Sequence, residues 1–271
     1  MNVIIYIFTF LIGITFGSFF TLAVYRIPLG KDITHERSFC PNCNHKLGFL
    51  DLIPIFSYIF LGGKCRYCKQ KIRPRYLLLE LLSGIVFVLF AFSIKMNIFA
   101  LSVPKIVYLV FVLLYIAGLF MISGIDKEKI QIQNELIIYL TIVQTMYIIY
   151  LYTLGNVDMY RYVIYLSALA ILTTANTIFY KKNLRDSYTF NVLSLICLMA
   201  MFTYELQTIA TVIFTLLIIG IKSIIDKIVK NRTKYIKKDA KNKNTIPFGF
   251  YLCVTNIIIL LVSNISVFYN F

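Results

Sequence analysis

The 271-residue chain is 59% hydrophobic and only 14% charged, with a mean hydropathy of +0.80. Soluble domains carry about 25% charged and 45–50% apolar residues, so a water-soluble globule is excluded and an all-α polytopic membrane protein is expected. The formal charge of +15 would suit a polyanion, but its placement along the chain follows membrane topology instead.

Apolar runs of spanning length, about 20 residues, fall near 3–25, 77–97, 104–125, 135–154, 160–180, 188–204, 207–225 and 246–270. They predict about eight transmembrane helices. The first carries Gly13, Gly17 and Ser18, small residues suited to close helix packing. It leaves the membrane at Arg26-Ile27-Pro28, where proline stops the helix. It is not expected to be a cleavable signal peptide, because no basic residue precedes Arg26 and no small-residue cleavage site follows. A basic loop over 26–76 comes next, with a turn at Gly62-Gly63. The second helix begins near Tyr76 and carries Glu80 about one turn into the bilayer. Residues 222–245 are lysine-rich and predict a solvated or headgroup-facing loop. The last helix opens at Ile246-Pro247-Phe248-Gly249, with proline in an allowed first-turn position. There is no tryptophan, and tyrosines such as Tyr25, Tyr76 and Tyr152 take the interfacial positions. No internal repeat is evident.

Alternating the loops across eight helices places 26–76, 126–134, 181–187 and 222–245 on one side. Those loops hold all but Lys95, Lys105 and Arg161 of the 27 lysines and arginines. Basic loops stay in the cytosol, so both termini are expected outside. A nucleic-acid partner is not expected; membrane lipid is.

Within the first basic loop stand Cys40-Pro41-Asn42-Cys43 and Cys65-Arg66-Tyr67-Cys68. Two such pairs can offer four thiolates to one tetrahedral ion, with zinc the expected metal. The cytosolic placement disfavours disulfides. Four thiolates close the site, which gives the metal a structural role and leaves His35 and His45 solvated. Cys197 and Cys253 lie inside apolar segments as packing residues.

Only 12 acidic residues occur. Asp32, Glu36, Asp158, Glu205, Asp226 and Asp239 fall in loops and are expected to be solvated; Asp51 lies amid apolar loop residues and is expected to be structural. Glu80, Asp126, Glu128, Glu135 and Asp186 lie at the cytosolic membrane boundary. Asp126 ends the third helix and Asp186 precedes the sixth, so the topology sets both carboxylates at one depth on one face. Two aspartates sharing a proton are the minimum apparatus of aspartyl proteolysis. The same residues could instead act independently, Asp186 as an N-cap and Asp126 paired with Lys127 or Lys129.

The run Gly17-Ser18-Phe19, Tyr25-Arg26-Ile27-Pro28, Arg37-Ser38-Phe39-Cys40-Pro41-Asn42-Cys43, Asp51-Leu52-Ile53-Pro54, Gly63-Lys64-Cys65-Arg66-Tyr67-Cys68, Ile72, Arg75-Tyr76 and Glu80 resembles the type IV prepilin leader peptidases. The likeness is densest over 13–85 and weaker over 137–245. Asp126 with Ile132, Asn134 and Leu136 looks like that family's first catalytic segment, and Ile246-Pro247-Phe248-Gly249 like the opening of its last helix. Gln133 stands where the family has proline, and Asn183-Leu184-Arg185-Asp186 where it has Gly-x-Gly-Asp. The second departure bears on substrate fit beside Asp186, because glycine allows close backbone approach.

The resemblance implies a bacterial inner-membrane aspartyl protease whose site, Asp126 and Asp186, faces the cytosol. It would cleave basic leaders from prepilin-like precursor proteins and then N-methylate the new amino terminus from S-adenosylmethionine. Its expected parts are a first helix over 1–25, a zinc-binding methylation lobe over 26–76 and a protease core over 77–271. Gly63 and Lys64 are candidates to sit at the methyl donor, and Glu80 to hold or deprotonate the amine; otherwise Glu80 pairs with a nearby arginine. The alternatives are a non-catalytic zinc-binding membrane assembly factor, a divergent inactive paralogue and, more remotely, a transporter.

Overall fold

The computed structural model describes residues 3–33, 37–96, 102–155, 158–180, 184–233 and 246–269, with the side chains of 179, 180, 184–186, 229–233 and 266–269 left aside. The described residues are helical throughout apart from turns and two isolated bridges in the first loop. The helices are α1 (Val3–Arg26), the short α2 (Phe56–Phe60), α3 (Arg75–Ser93), α4 (Val103–Lys129), α5 (Asn134–Thr153), α6 (Met159–Tyr180), α7 (Leu184–Phe202), α8 (Glu205–Thr233) and α9 (Phe248–Tyr269).

Among the described residues, six segments are long and apolar enough to cross a membrane: Val3–Leu29, Arg75–Ser93, Val103–Lys129, Asn134–Thr153, Glu205–Ile228 and Phe248–Ile265. The chain is thus an all-α polytopic membrane protein. Helices also form at the other two expected places. Ser187–Phe202 is apolar but shorter. The polar run Thr173, Thr174, Asn176 and Thr177 dilutes the apolar character of α6.

The expected loop over 222–245 is corrected in its first half, because α8 continues to Thr233. Ile224, Ile225 and Ile228 recur there at helical spacing, and lysine is itself a good helix former. Residues 234–245, with Asp239, lie outside the described residues, as do His35 and Glu36.

Two compact units divide the chain. The first comprises Met1–Met121 with Asn264–Phe271. In it α1 and α3 lie backbone to backbone. A β-carbon at Gly13 would stand 2.7 Å from the Gly84 Cα, and one at Gly17 2.7 Å from the Glu80 Cα. Only small residues permit that approach, and Ser83 uses it to donate to the Gly13 carbonyl (2.7 Å). Phe20 stacks on Phe120 of α4 at 5.8 Å. At the end of α1 the buried Arg26 donates to the carbonyls of Asp32 (2.8 Å) and Arg37 (3.2 Å), folding the chain into the cysteine loop.

The second unit is Ile122–Ser263. Polar groups inside its apolar helices pair with one another, as burial requires. Gln144 of α5 donates to the Leu198 carbonyl of α7 (2.9 Å), and Thr215 of α8 meets Thr255 of α9 (2.6 Å). Arg161 of α6 pairs with Glu205 at 2.6 Å and also donates to the carbonyls of Ala200 and Thr203 at the end of α7. A cation there complements the helix dipole.

Candidate active site and four-cysteine cluster

The two cysteine pairs form two knuckles of the same geometry. In the first, the Cys40 amide donates to the His45 carbonyl (3.0 Å) and the Asn44 amide to the Cys40 carbonyl (2.8 Å). In the second, Cys65 donates to Gln70 (2.8 Å) and Lys69 to Cys65 (3.0 Å). Phe39 bridges Lys46 as Lys64 bridges Lys71. The residue after each second cysteine turns the chain with positive φ, 55° at Asn44 and 59° at Lys69. The sequence shows only the doubled cysteine spacing, because beyond the cysteines and the closing Lys46 and Lys71 the two stretches share backbone shape and not residue identity.

The knuckles bring the sulfurs of Cys40, Cys43, Cys65 and Cys68 within 4.8 Å of one another. Cys40 and Cys68 are 3.8 Å apart. A tetrahedron with metal–sulfur bonds of about 2.3 Å sets its sulfurs about 3.8 Å apart, so the cluster can coordinate a metal ion. Hydrogen bonds from the Gln70 amide and the Asn42 side chain pull the Cys68 thiol down to about 6. The His45 amide lowers Cys43, but desolvation and the neighbouring Cys40 and Cys68 sulfurs outweigh it and push that thiol up to about 11. Crowded thiols cannot all ionise on their own, and a bound cation removes that conflict. Asp51 ties the second knuckle down. It accepts from Arg66 Nε (2.6 Å), from the Tyr67 hydroxyl (3.3 Å) and from the Gly48 amide (3.1 Å), in the structural role expected of it. The exposed His45 stacks on Tyr67.

A cleft beside the second knuckle is lined by Tyr58, Gly63, Lys64, Lys71, Ile72 and Arg73. Gly63 holds φ 67°, and a β-carbon there would stand 2.9 Å from the Tyr58 hydroxyl. Glu80 is only 9% exposed, and its Oε2 accepts the Ile55 amide at 2.7 Å.

Burial separates the boundary acids. Glu128 and Glu135 are exposed, whereas Asp126 is wholly buried. Asp126 lies in the last turn of α4, where its carbonyl accepts the amide of Ile130 (2.9 Å). Its Oδ2 accepts the Phe250 amide (2.8 Å) and the Tyr188 hydroxyl (3.3 Å). The Tyr188 hydroxyl in turn accepts the Gly249 amide (3.2 Å). The start of α9 thus donates one unsatisfied amide to this carboxyl group and another to the tyrosine bonded to it. Oδ1 is buried and has no hydrogen-bond partner among the described residues. Lys127 lies over the Phe250 ring at 4.9 Å. The expected pairing of Asp126 with Lys127 or Lys129 is therefore not what forms.

Asp186 stands inside α7, with Leu184 and Arg185 before it already helical, so it is not the N-cap. Its side chain lies outside the described residues. Three asparagines brace the backbone next to Asp126. Asn191 donates to the Ile132 carbonyl (2.7 Å) and to Asn134 Oδ1 (2.9 Å), while Asn176 donates to Asn191 Oδ1 (2.8 Å). Tyr188, Asn176 and Asn191 are absent from the sequence-based candidates. The available signal was the cost of an amide inside an apolar helix, which requires a partner.

Residues 11–94, which hold most of α1, the cysteine loop and all of α3, match the bacterial peptidase A24 N-terminal domain. A prepilin leader peptidase/N-methyltransferase of Klebsiella pneumoniae is 43% identical over 88 residues, covering 30% of this chain and 39% of that protein. Homology supports membership in the prepilin peptidase family. The protein of the same description from Bacillus subtilis is 33% identical over 130 residues, 48% of this chain and 49% of its own length. That from Myxococcus xanthus is 41% identical over 81 residues, 30% and 24%. The matched stretches span less than half the length of these relatives. No solved structure matches the chain.

Proposed function

We propose that the chain is a membrane aspartyl endopeptidase of a bacterial inner membrane that removes the basic leader from type IV prepilin-like precursors at the cytosolic face. The observation that carries this is Asp126, wholly buried with Oδ2 bonded twice and Oδ1 left without a partner among the described residues. A scaffold needs no such carboxyl. A neutral Asp126 can accept both bonds on Oδ2 and offer the hydroxyl of Oδ1 to a scissile carbonyl. Asp186, at a helix amino terminus whose dipole favours negative charge, takes the proton from the attacking water. The water oxygen bonds to the carbonyl carbon, and the C–N bond breaks as the leaving amine takes the proton back. The pair acts as a unit.

Eight crossings, with α6 and α7 among them, place both aspartates and the lysine-rich segment on the cytosolic side. Residues 26–76 form a lobe ahead of a protease core over 77–271. The lobe is held by one structural zinc on Cys40, Cys43, Cys65 and Cys68. We assign it a second activity, N-methylation of the new amino terminus. S-adenosylmethionine, when bound, supplies the methyl group. The basic cleft at Gly63 and Lys64 suits its carboxylate, and a rigid lobe contributes orientation.

Co-expression with a prepilin precursor, followed by mass spectrometry of the pilin amino terminus, tests both activities. Wild-type protein should yield cleaved pilin carrying an added methyl group. Asp126→Asn and Asp186→Asn should each abolish cleavage while leaving the protein folded and metal-bound. Cleavage retained in either variant removes the aspartyl mechanism, and cleaved but unmethylated pilin removes the second activity alone.

A further inference from the structure

One face of the cysteine lobe is used by neither the metal cluster nor the aspartate. Phe49 and Phe60 are each 84% exposed, and Leu50, Phe56 and Ile59 are 64%, 52% and 62% exposed. From Gly48 to Gly63 the sequence contains one charged residue, Asp51, whose side chain is turned inward onto Arg66 and is 5% exposed. Phe56, Ile59 and Phe60 lie at the i, i+3, i+4 spacing that sets side chains on one side of α2. Tyr58 turns the other way, its hydroxyl on the Ile72 carbonyl (3.4 Å). Contiguous exposed apolar surface of this kind marks an interaction face.

The hydrogen bond from Ile55 to Glu80 ties this face to a membrane-spanning helix. α3 has 19 residues, so at 1.5 Å per residue it is about 28 Å long, no longer than a hydrocarbon core of about 30 Å. It has no turn to spare outside the membrane. Glu80 is the sixth residue of α3 and so lies about 7–8 Å along the span. The backbone of Ile55, bonded to its carboxylate at 2.7 Å, lies at the same depth. Irregular backbone is tolerated there only where protein covers it and satisfies its polar groups. The Ile55 amide goes to Glu80, and the Phe56 amide goes to the Pro54 carbonyl (2.6 Å). That second bond closes a γ-turn with Ile55 at φ 65° and ψ −55°. The conformation is strained for a β-branched residue, and the Glu80 carboxylate holds it.

We propose that residues 49–61 form a wedge inserted into the lipid bilayer beside α3, with Phe49, Phe56, Ile59 and Phe60 among the acyl chains and Glu80 as its anchor. The partner is the bilayer because the wedge is continuous with a membrane-spanning helix. Lys46, Lys64, Arg66 and Arg73 flank it in sequence, where phosphate headgroups would lie. The wedge holds the cysteine lobe against the membrane surface.

The chain has no tryptophan, so Phe60→Trp creates a single reporter. In liposomes whose lipid is brominated near the headgroup end of its acyl chains, Phe60→Trp fluorescence should be quenched and shielded from aqueous iodide. Gln70→Trp, on the exposed second knuckle, should show the reverse. Phe49→Trp serves in the same way should Phe60→Trp misfold. Adding Glu80→Ala should cut bromine quenching by at least about half, because an unanchored apolar segment is held by surface partitioning alone. Glu80→Gln, which keeps the acceptor, should preserve it. Iodide access without bromine quenching at both reporter positions overturns the wedge. So does shielding that follows protein density and ignores bromine, the signature of a second copy on this face. Quenching unchanged by Glu80→Ala overturns the anchor.

Discussion

Tyr188 donates its hydroxyl proton to Oδ2 of Asp126 across 3.3 Å, joining the start of α7 to the last turn of α4. Because the phenolic oxygen of Tyr188 accepts the Gly249 amide, one phenol aligns three helices on one carboxyl group. Tyr188→Phe removes this link without changing the ring. A hydrogen bond to a neutral carboxyl is worth about 0.5–1.5 kcal/mol, so leader cleavage should slow about 2- to 10-fold at little change in prepilin affinity. A cleavage time course on reconstituted protein reads the effect.

Gly249 packs against the site from the other side. A β-carbon there would stand 3.1 Å from Asp126 Oδ2 and 3.0 Å from Ile132 Cδ1. Gly249→Ala must therefore shift the carboxyl or the Ile132 side chain by a few tenths of an ångström. A misplacement of about 1 Å at a catalytic group can cost about 100-fold, so this smaller shift should slow cleavage by about 3- to 10-fold while stability falls by about 1 kcal/mol. Parallel cleavage and melting measurements separate the two effects.

Removing the metal should unfold the cysteine lobe and spare the helices. Elemental analysis of reduced, purified protein should find one zinc per chain, and Cys40→Ser with Cys65→Ser should find none. After chelation, proteolysis should cut between Ser38 and Lys71 while helicity by circular dichroism stays close to its starting value, because metal-binding energy is folding energy for such lobes.

Asp51 makes the lobe sensitive to acid. Desolvation raises its carboxyl, but the Arg66 guanidinium, the Gly48 amide and Tyr67 outweigh this and hold it below its ordinary 3.8. A depressed carboxyl adds stability that is present above the unfolded value and is lost as pH falls through the folded one. The contribution should thus be full at neutral pH and fade below about pH 4. Arg66 is 46% exposed, so the pair is worth no more than about 1 kcal/mol. Asp51→Asn should flatten that part of the pH profile of lobe proteolysis.

The sequence alone determined the membrane class, the positions of most of the long helices and the four cysteines that can hold a metal ion. Composition, apolar run length and cysteine spacing are local properties that need no knowledge of packing. Asp126 was legible too, as an acid at a helix end. Only the tertiary structure decided that it is buried while Glu128 and Glu135 are exposed, because burial depends on which helices meet. Tyr188 and Asn191 meet the Asp126 segment from about 60 positions away, and Phe250 from 124. No periodicity encodes a separation of that kind. The helical continuation of α8 into the lysine-rich stretch was hidden for another reason. Lysine counts against a membrane span and for a helix, and a hydropathy reading registers only the first.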